Sequence, residues 1–164
     1  MTAAGNAQAE WIRESQRLAP FIPGVVRFDA SPLVDSQIRQ VGQELSASPL
    51  LFVRGRTAFE AAGEQLLAAH LERIRRLDLL AQLGGQPYIV EVVGHADGDG
   101  SPATNDSLSV SRANLVRSAI EGLRLSNIRA TATGMGSRQP VARSEAEADK
   151  RANRRVTLRL VPSR

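Results

Sequence analysis

A chain of 164 residues with 42% hydrophobic content can bury one substantial core and is not composed like a disordered segment. It has no cysteine, which excludes disulfides and thiolate metal sites, and no apolar run near the ~18 to 20 residues of a helical membrane span. The net charge of +4 comes almost wholly from arginine, with Lys150 the only lysine, which permits a nucleic-acid or anionic-surface partner without demanding one; the basic residues are scattered with no contiguous phosphate-tracking face and aromatic residues make up only 4%, so no nucleic-acid partner is expected.

The start, Met1 to Asn6, lacks the basic and apolar regions of a signal peptide, so any export signal or anchor is expected on sequence outside this chain. Gln8 to Ala19 reads as a short helix with Trp11 and Leu18 on one face, stopped by Pro20 and the Pro23-Gly24 turn. Val25 to Asp29 reads as a strand. Ser31 followed by Pro32 has the form of an N-cap with proline at the first helical position, and Val34, Ile38, Val41 and Leu45 recur at helical spacing behind it. Ser46-Ala47-Ser48-Pro49 marks the expected boundary between an N-terminal helix-strand-helix extension, residues 1–47, and a main domain, residues 48–164.

Leu50-Leu51-Phe52-Val53 is a short apolar run with the character of a buried strand. Phe59, Leu66 or Leu67, Leu71, Ile74 and Leu77 mark a long helix that Gly84-Gly85 would end. Tyr88 to Val93 is the strongest strand signal in the chain. A helix over Leu108–Leu123, a strand over Ile128–Thr133, a loop with Gly134-Met135-Gly136 and Pro140, and an alternating strand over Val156–Leu160 follow. This order predicts an α+β fold, a β-α-β-α-β-β two-layer sandwich with a mixed sheet and two main helices on one face, preceded by an α-β-α extension.

Arg112 is the informative residue. Helical spacing puts it in or beside the apolar stripe with Leu108, Leu115 and Val116, and a guanidinium drawn out of water needs a partner, so a carboxylate or an anionic ligand is expected to face it. The nearest acidic loop is Gly94-His95-Ala96-Asp97-Gly98-Asp99-Gly100. A carboxylate in a glycine-rich turn ordinarily caps backbone amides, and an arginine at the edge of an apolar stripe ordinarily snorkels. Taken together, Asp97 at a strand end and Arg112 in the next helix make a charge pair suited to a small zwitterion. The same loop fails as a dinucleotide fingerprint, and as a calcium loop it has Leu108 where a bidentate glutamate is required. No metal or cofactor is expected. His95 has no nucleophile and carboxylate arranged around it in sequence, and Asp97 with Asp99 are too close along the chain to serve as a glycosidase pair, so the reading is against an enzyme.

Gly94-His95-Ala96-Asp97, Asn105, Leu108-Ser109-Val110-Ser111-Arg112-Ala113, Gly134-Met135-Gly136, Gln139-Pro140 and Asn153-Arg154-Arg155-Val156 together resemble the OmpA-like peptidoglycan-binding domain of porin tails, peptidoglycan-associated lipoproteins and flagellar stator proteins. The match runs from about Leu50 to Leu160. The resemblance implies that Asp97 and Arg112 hold the diaminopimelate of the peptide stem without catalysis, that Asn105 and Leu108 line the pocket, and that Arg154 or Arg155 supports it. It implies a periplasmic module of a membrane-anchored envelope protein, touching the membrane only through sequence absent here, and is compatible with a homodimer. A stem lysine lacks the second carboxylate and would leave Arg112 unpaired, which is a basis for selectivity. The chain departs from the pattern at Ala96, where threonine is usual, along Phe52-Val53-Arg54-Gly55, which lacks acidic or amide residues, and at Lys150, near a common arginine. Ala96 and the bare first strand suggest a second reading, a protein-interaction or scaffold module of the same fold with a drifted pocket. Trp11 to Asp29 resembles the last helix and strand of a BON domain.

Overall fold

The computed structural model describes residues 9–163. Helix α1 (Ala9–Leu18) runs into a short 3-10 turn (Ala19–Phe21), and α2 (Ser31–Ala47) leads to the short strand β1 (Leu50–Leu51). Then come α3 (Gly63–Gly84), β2 (Tyr88–Gly94), α4 (Pro102–Glu121), β3 (Ile128–Gly134), α5 (Glu147–Asn153) and β4 (Arg155–Pro162). The sheet order is β1-β4-β2-β3, with β2 parallel to β3 across the α4 crossover and antiparallel to β4. Val90 and Val92 of β2 and Val156 and Leu158 of β4 face the helices and are buried. The α+β sandwich expected from the order of elements is therefore the fold that forms, and its central strand is the one with the strongest sequence signal.

Four differences have physical causes. The strand expected at Val25–Asp29 does not form: the segment is irregular, Val26 is fully exposed, and the helix–strand pair of the BON-like reading is absent with it. On α1 the buried anchor is Ile12, while Trp11 and Leu18 lie 54% and 42% exposed, because the helix turns its Ile12 side toward α2 and α3. Ser31 does not cap α2; its own N–H is accepted by Asp29 Oδ1 at 3.0 Å, so the aspartate two residues earlier closes that end. Helix α4 begins at Pro102, six residues before the expected start, because the Ser101 hydroxyl accepts the Thr104 N–H at 3.1 Å and caps it.

Residues 48–49 join α2 to β1 with no break in the core behind them. Leu33, Val34, Ile38, Val41 and Leu45 of α2 share one apolar cluster with Ile74 and Leu77 of α3 and Leu158 of β4. Buried His70 fixes this connection, its Nε2 meeting Ser48 O at 2.9 Å. Among the described residues no helix is long and apolar enough to cross a membrane.

Candidate functional site

The site is built at the end of the sheet where β2 stops. Past Gly94 the chain stays buried through His95, Ala96 and Asp97. The His95 N–H donates to Arg155 O at 2.8 Å, the Ala96 N–H to Gly136 O at 2.8 Å, and the Met135 N–H to Gly94 O at 2.9 Å, so this segment is clamped between the start of β4 and the turn after β3. Two glycines let α4 lie directly on it. A Cβ on Gly94 would run into the Ser109 carbonyl oxygen, and one on Gly134 would stand 2.5 Å from Val110 Cγ2 and 2.6 Å from Ser109 Oγ.

That close approach carries Arg112, in the third turn of α4, under the sheet end, where it is fully buried. Its partners differ from the expected carboxylate. Nη1 donates to His95 O, Nη2 to Val53 O and Nε to Arg56 O, each at 3.1 Å, and the guanidinium lies 5.3 Å from the centre of the Phe52 ring. A planar fork of N–H donors can address three carbonyl dipoles at once, which is how this charge is accommodated without a contacting anion. Burial pushes the Arg112 pKa down to about 10, opposed by the field of Asp97, and the group stays cationic at neutral pH.

Asp97 pairs with Arg154 and not with Arg112. Its Oδ2 accepts from Arg154 Nη1 at 3.0 Å, with both side chains almost wholly buried. Arg154 also donates from Nε to Phe52 O at 3.3 Å and from Nη2 to Glu147 Oε1 at 2.6 Å. Burial opposes its charge, and the bonds to Glu147 and Asp97 outweigh that and raise its pKa. Asn105 is buried and donates from Nδ2 to Asp97 O at 3.2 Å, tying the first turn of α4 to the acidic loop. Leu108 is half-buried one helical turn before Arg112. Arg155 points elsewhere: its Nη2 donates to Gln139 O at 3.2 Å, while its Nη1 and His95 Nδ1 are buried without a hydrogen-bond partner among the described residues. Of the two arginines offered as support, Arg154, between α5 and β4, is the one joined to Asp97.

Sequence reasoning missed the rim. Asp99 takes Arg54 Nη2 at 2.7 Å and Lys150 Nζ at 2.8 Å, and its carboxyl is held low chiefly by the Lys150 bond. Lys150 also pairs with Glu145 at 2.8 Å, and Arg151 with Glu60 at 2.5 Å. Helix α5, too short and polar to show in periodicity, presents Glu147, Lys150 and Arg151 to this rim. Asn153 at its end pins the preceding loop, accepting the Val141 N–H at 2.8 Å and donating to Ala142 O at 2.8 Å. The acidic first turn and basic last turn of α5 were the available signal.

Chemically the arrangement offers opposite charges and no activated nucleophile. Ser109 Oγ donates to Asp106 O at 2.9 Å and accepts the Gly136 N–H at 2.9 Å, and Ser111 Oγ is spent on Ser107 O. Burial and the Arg155 charge push His95 down to about 4, so it is neutral near pH 7. Among the described residues, no group of three histidine or carboxylate side chains is placed to hold a metal ion.

Three solved structures share this fold. The peptidoglycan-associated lipoprotein from Burkholderia pseudomallei aligns over 69% of this chain and 89% of its own, with TM-score 0.57 and 23% identity. The C-terminal domain of Helicobacter pylori MotB aligns over 71% and 85%, with TM-score 0.56 and 16% identity. The cell wall anchor of the T6SS from Pseudomonas aeruginosa aligns over 82% of this chain and 100% of its own, with TM-score 0.54 and 18% identity. In sequence, 67 residues are 42% identical to outer membrane porin F of Pseudomonas fluorescens, a stretch that is 41% of this chain and 21% of that protein, so the chain spans about a fifth of that relative's length. Residues 51–154 match the OmpA family over more than half of the chain, and the protein belongs to that family.

Proposed function

We propose that this chain is a non-catalytic peptidoglycan-binding module, a periplasmic part of an envelope protein that it anchors to the cell wall. Its ligand is the diaminopimelate of the stem peptide, whose side-chain end carries an ammonium and a carboxylate on one carbon. Asp97 takes the ammonium and Arg112 the carboxylate, with Asn105 and Leu108 lining the pocket and Arg154 fixing Asp97. The observation that carries this reading is the presence of a buried carboxylate, Asp97, and a buried guanidinium, Arg112, close enough for each to feel the other's charge, at one sheet end of an OmpA-family chain. The names of the lipoprotein and the cell wall anchor with the same fold support it. A single pocket of this kind binds weakly, and useful anchoring comes from many copies meeting a polymer.

The test is cosedimentation with purified sacculi of diaminopimelate type and of lysine type, using the protein, Asp97→Asn and Arg112→Lys. Retention on the first sacculus alone, lost in both variants, is the expected outcome. The second reading, a scaffold module of the same fold, draws on the fact that both anchors are already engaged within the chain, Arg112 by carbonyls and Asp97 by Arg154. Equal, weak retention by all three proteins would favour it.

A further inference from the structure

The carbonyls that engage Arg112 come mostly from one exposed hairpin. Residues 51–60 leave the sheet and return, closed at the base by Glu60 N–H to Leu51 O at 3.0 Å, by Val53 N–H to Ala58 O at 2.9 Å, and by the Phe52 and Phe59 rings 4.7 Å apart. The tip, residues 54–57, is exposed and turns through Gly55 at φ +64°. It is fastened to the body by the Arg112 bonds to Val53 O and Arg56 O, and at the surface by the ion pair of Arg54 with Asp99, in which Arg54 is 66% exposed. A pair so exposed contributes little.

We infer that the tip at residues 54–57 is a displaceable plug, covering the Arg112 guanidinium until a ligand carboxylate takes the place of the Val53 and Arg56 carbonyls. The inference rests on the peptidoglycan reading above and concerns how that same pocket opens. Two N–H groups on one edge of a guanidinium suit a carboxylate bidentately, and a carboxylate brings a full negative charge to donors that the two carbonyls meet only with dipoles. The exchange is therefore favourable at Arg112 itself, and what resists it is the turn geometry and the surface latch. Plug and ligand compete for the same donors, so the apparent affinity equals the intrinsic affinity scaled by the open fraction.

Two variants loosen the plug without touching the pocket. Arg54→Ala removes the latch. Gly55→Ala places a Cβ with nothing within 4 Å, so its effect is confined to the positive φ of the closed turn. Titration of a soluble diaminopimelate stem peptide by calorimetry should show about 2- to 5-fold tighter binding for Arg54→Ala and about 5- to 10-fold for Gly55→Ala. Hydrogen exchange on the unmodified protein gives a second readout. The Arg56 amide, bonded to Val53 O at 3.2 Å, should exchange faster at saturating peptide, while the Phe52 amide, bonded to Arg154 O at 2.9 Å, stays protected. Binding that depends on Asp97 but is unchanged in both variants, with an unaltered Arg56 amide, overturns the plug and leaves the peptidoglycan reading intact. No binding by any of the proteins overturns both.

Discussion

Replacing Arg112 measures how far a buried cation organises the sheet end. The guanidinium donates three hydrogen bonds of 3.1 Å to carbonyls of residues 53, 56 and 95 and lies over the Phe52 ring. Bonds with one charged partner are worth about 1.5–3 kcal/mol each, giving roughly 5–9 kcal/mol for the three. Against this stands the several kcal/mol needed to bury the charge, which any neutral replacement recovers. Arg112→Met keeps most of the volume and should destabilise by about 2–4 kcal/mol, and Arg112→Ala, which adds a cavity, by about 4–5 kcal/mol. Arg112→Lys should resemble Arg112→Met, because a point ammonium cannot span three carbonyls. Urea unfolding with the slope monitored measures all three. An Arg112→Met protein within about 0.5 kcal/mol of the original, at unchanged slope, would show that the three carbonyl bonds do not hold the sheet end together.

Gly94→Ala should cost about 3 kcal/mol or more and lift α4 from the sheet, since the obstructing atom is the Ser109 backbone oxygen, which cannot swing aside; thermal unfolding and near-UV dichroism report it. The pH dependence follows from His95, whose pKa falls from 6.5 to about 4 on folding. The unfolded chain binds that proton first, so stability is full above pH 6.5 and falls as pH drops toward 4, by about 3 kcal/mol, and His95→Gln should flatten this decline in urea midpoints. His70, also lowered by burial, acts in the same direction. Asn153→Ala removes the clamp on Val141 and Ala142 and should cost about 1–2 kcal/mol in unfolding experiments while raising exchange at the Val141 amide.

Much of this protein was legible along the chain because the relevant signals are local. The alternating Val90, Val92, Val156 and Leu158, the helical repeat of Val34 to Leu45, and the stop at Gly85, whose φ of +66° and N–H to Ala81 O and Gln82 O close α3, each depend on neighbours within a few residues. Two opposite charges flanking one strand–helix junction were equally readable. The strand expected at Val25–Asp29 shows the limit, because β-branched residues make a strand only where an edge is free to receive them, and this segment found no continuous partner. Which anion or dipole satisfies Arg112 was likewise decided in three dimensions. Its acceptors come from positions 53, 56 and 95, separations at which local periodicity carries no geometric information, and the choice of Arg154 over Arg155 as the partner of Asp97 was made there too. That a buried arginine must be satisfied follows from its charge and its place in the apolar stripe, whereas the packing of the 51–60 hairpin over α4 made carbonyls its main acceptors, because an N–H donates to whichever oxygen the fold brings within about 3 Å.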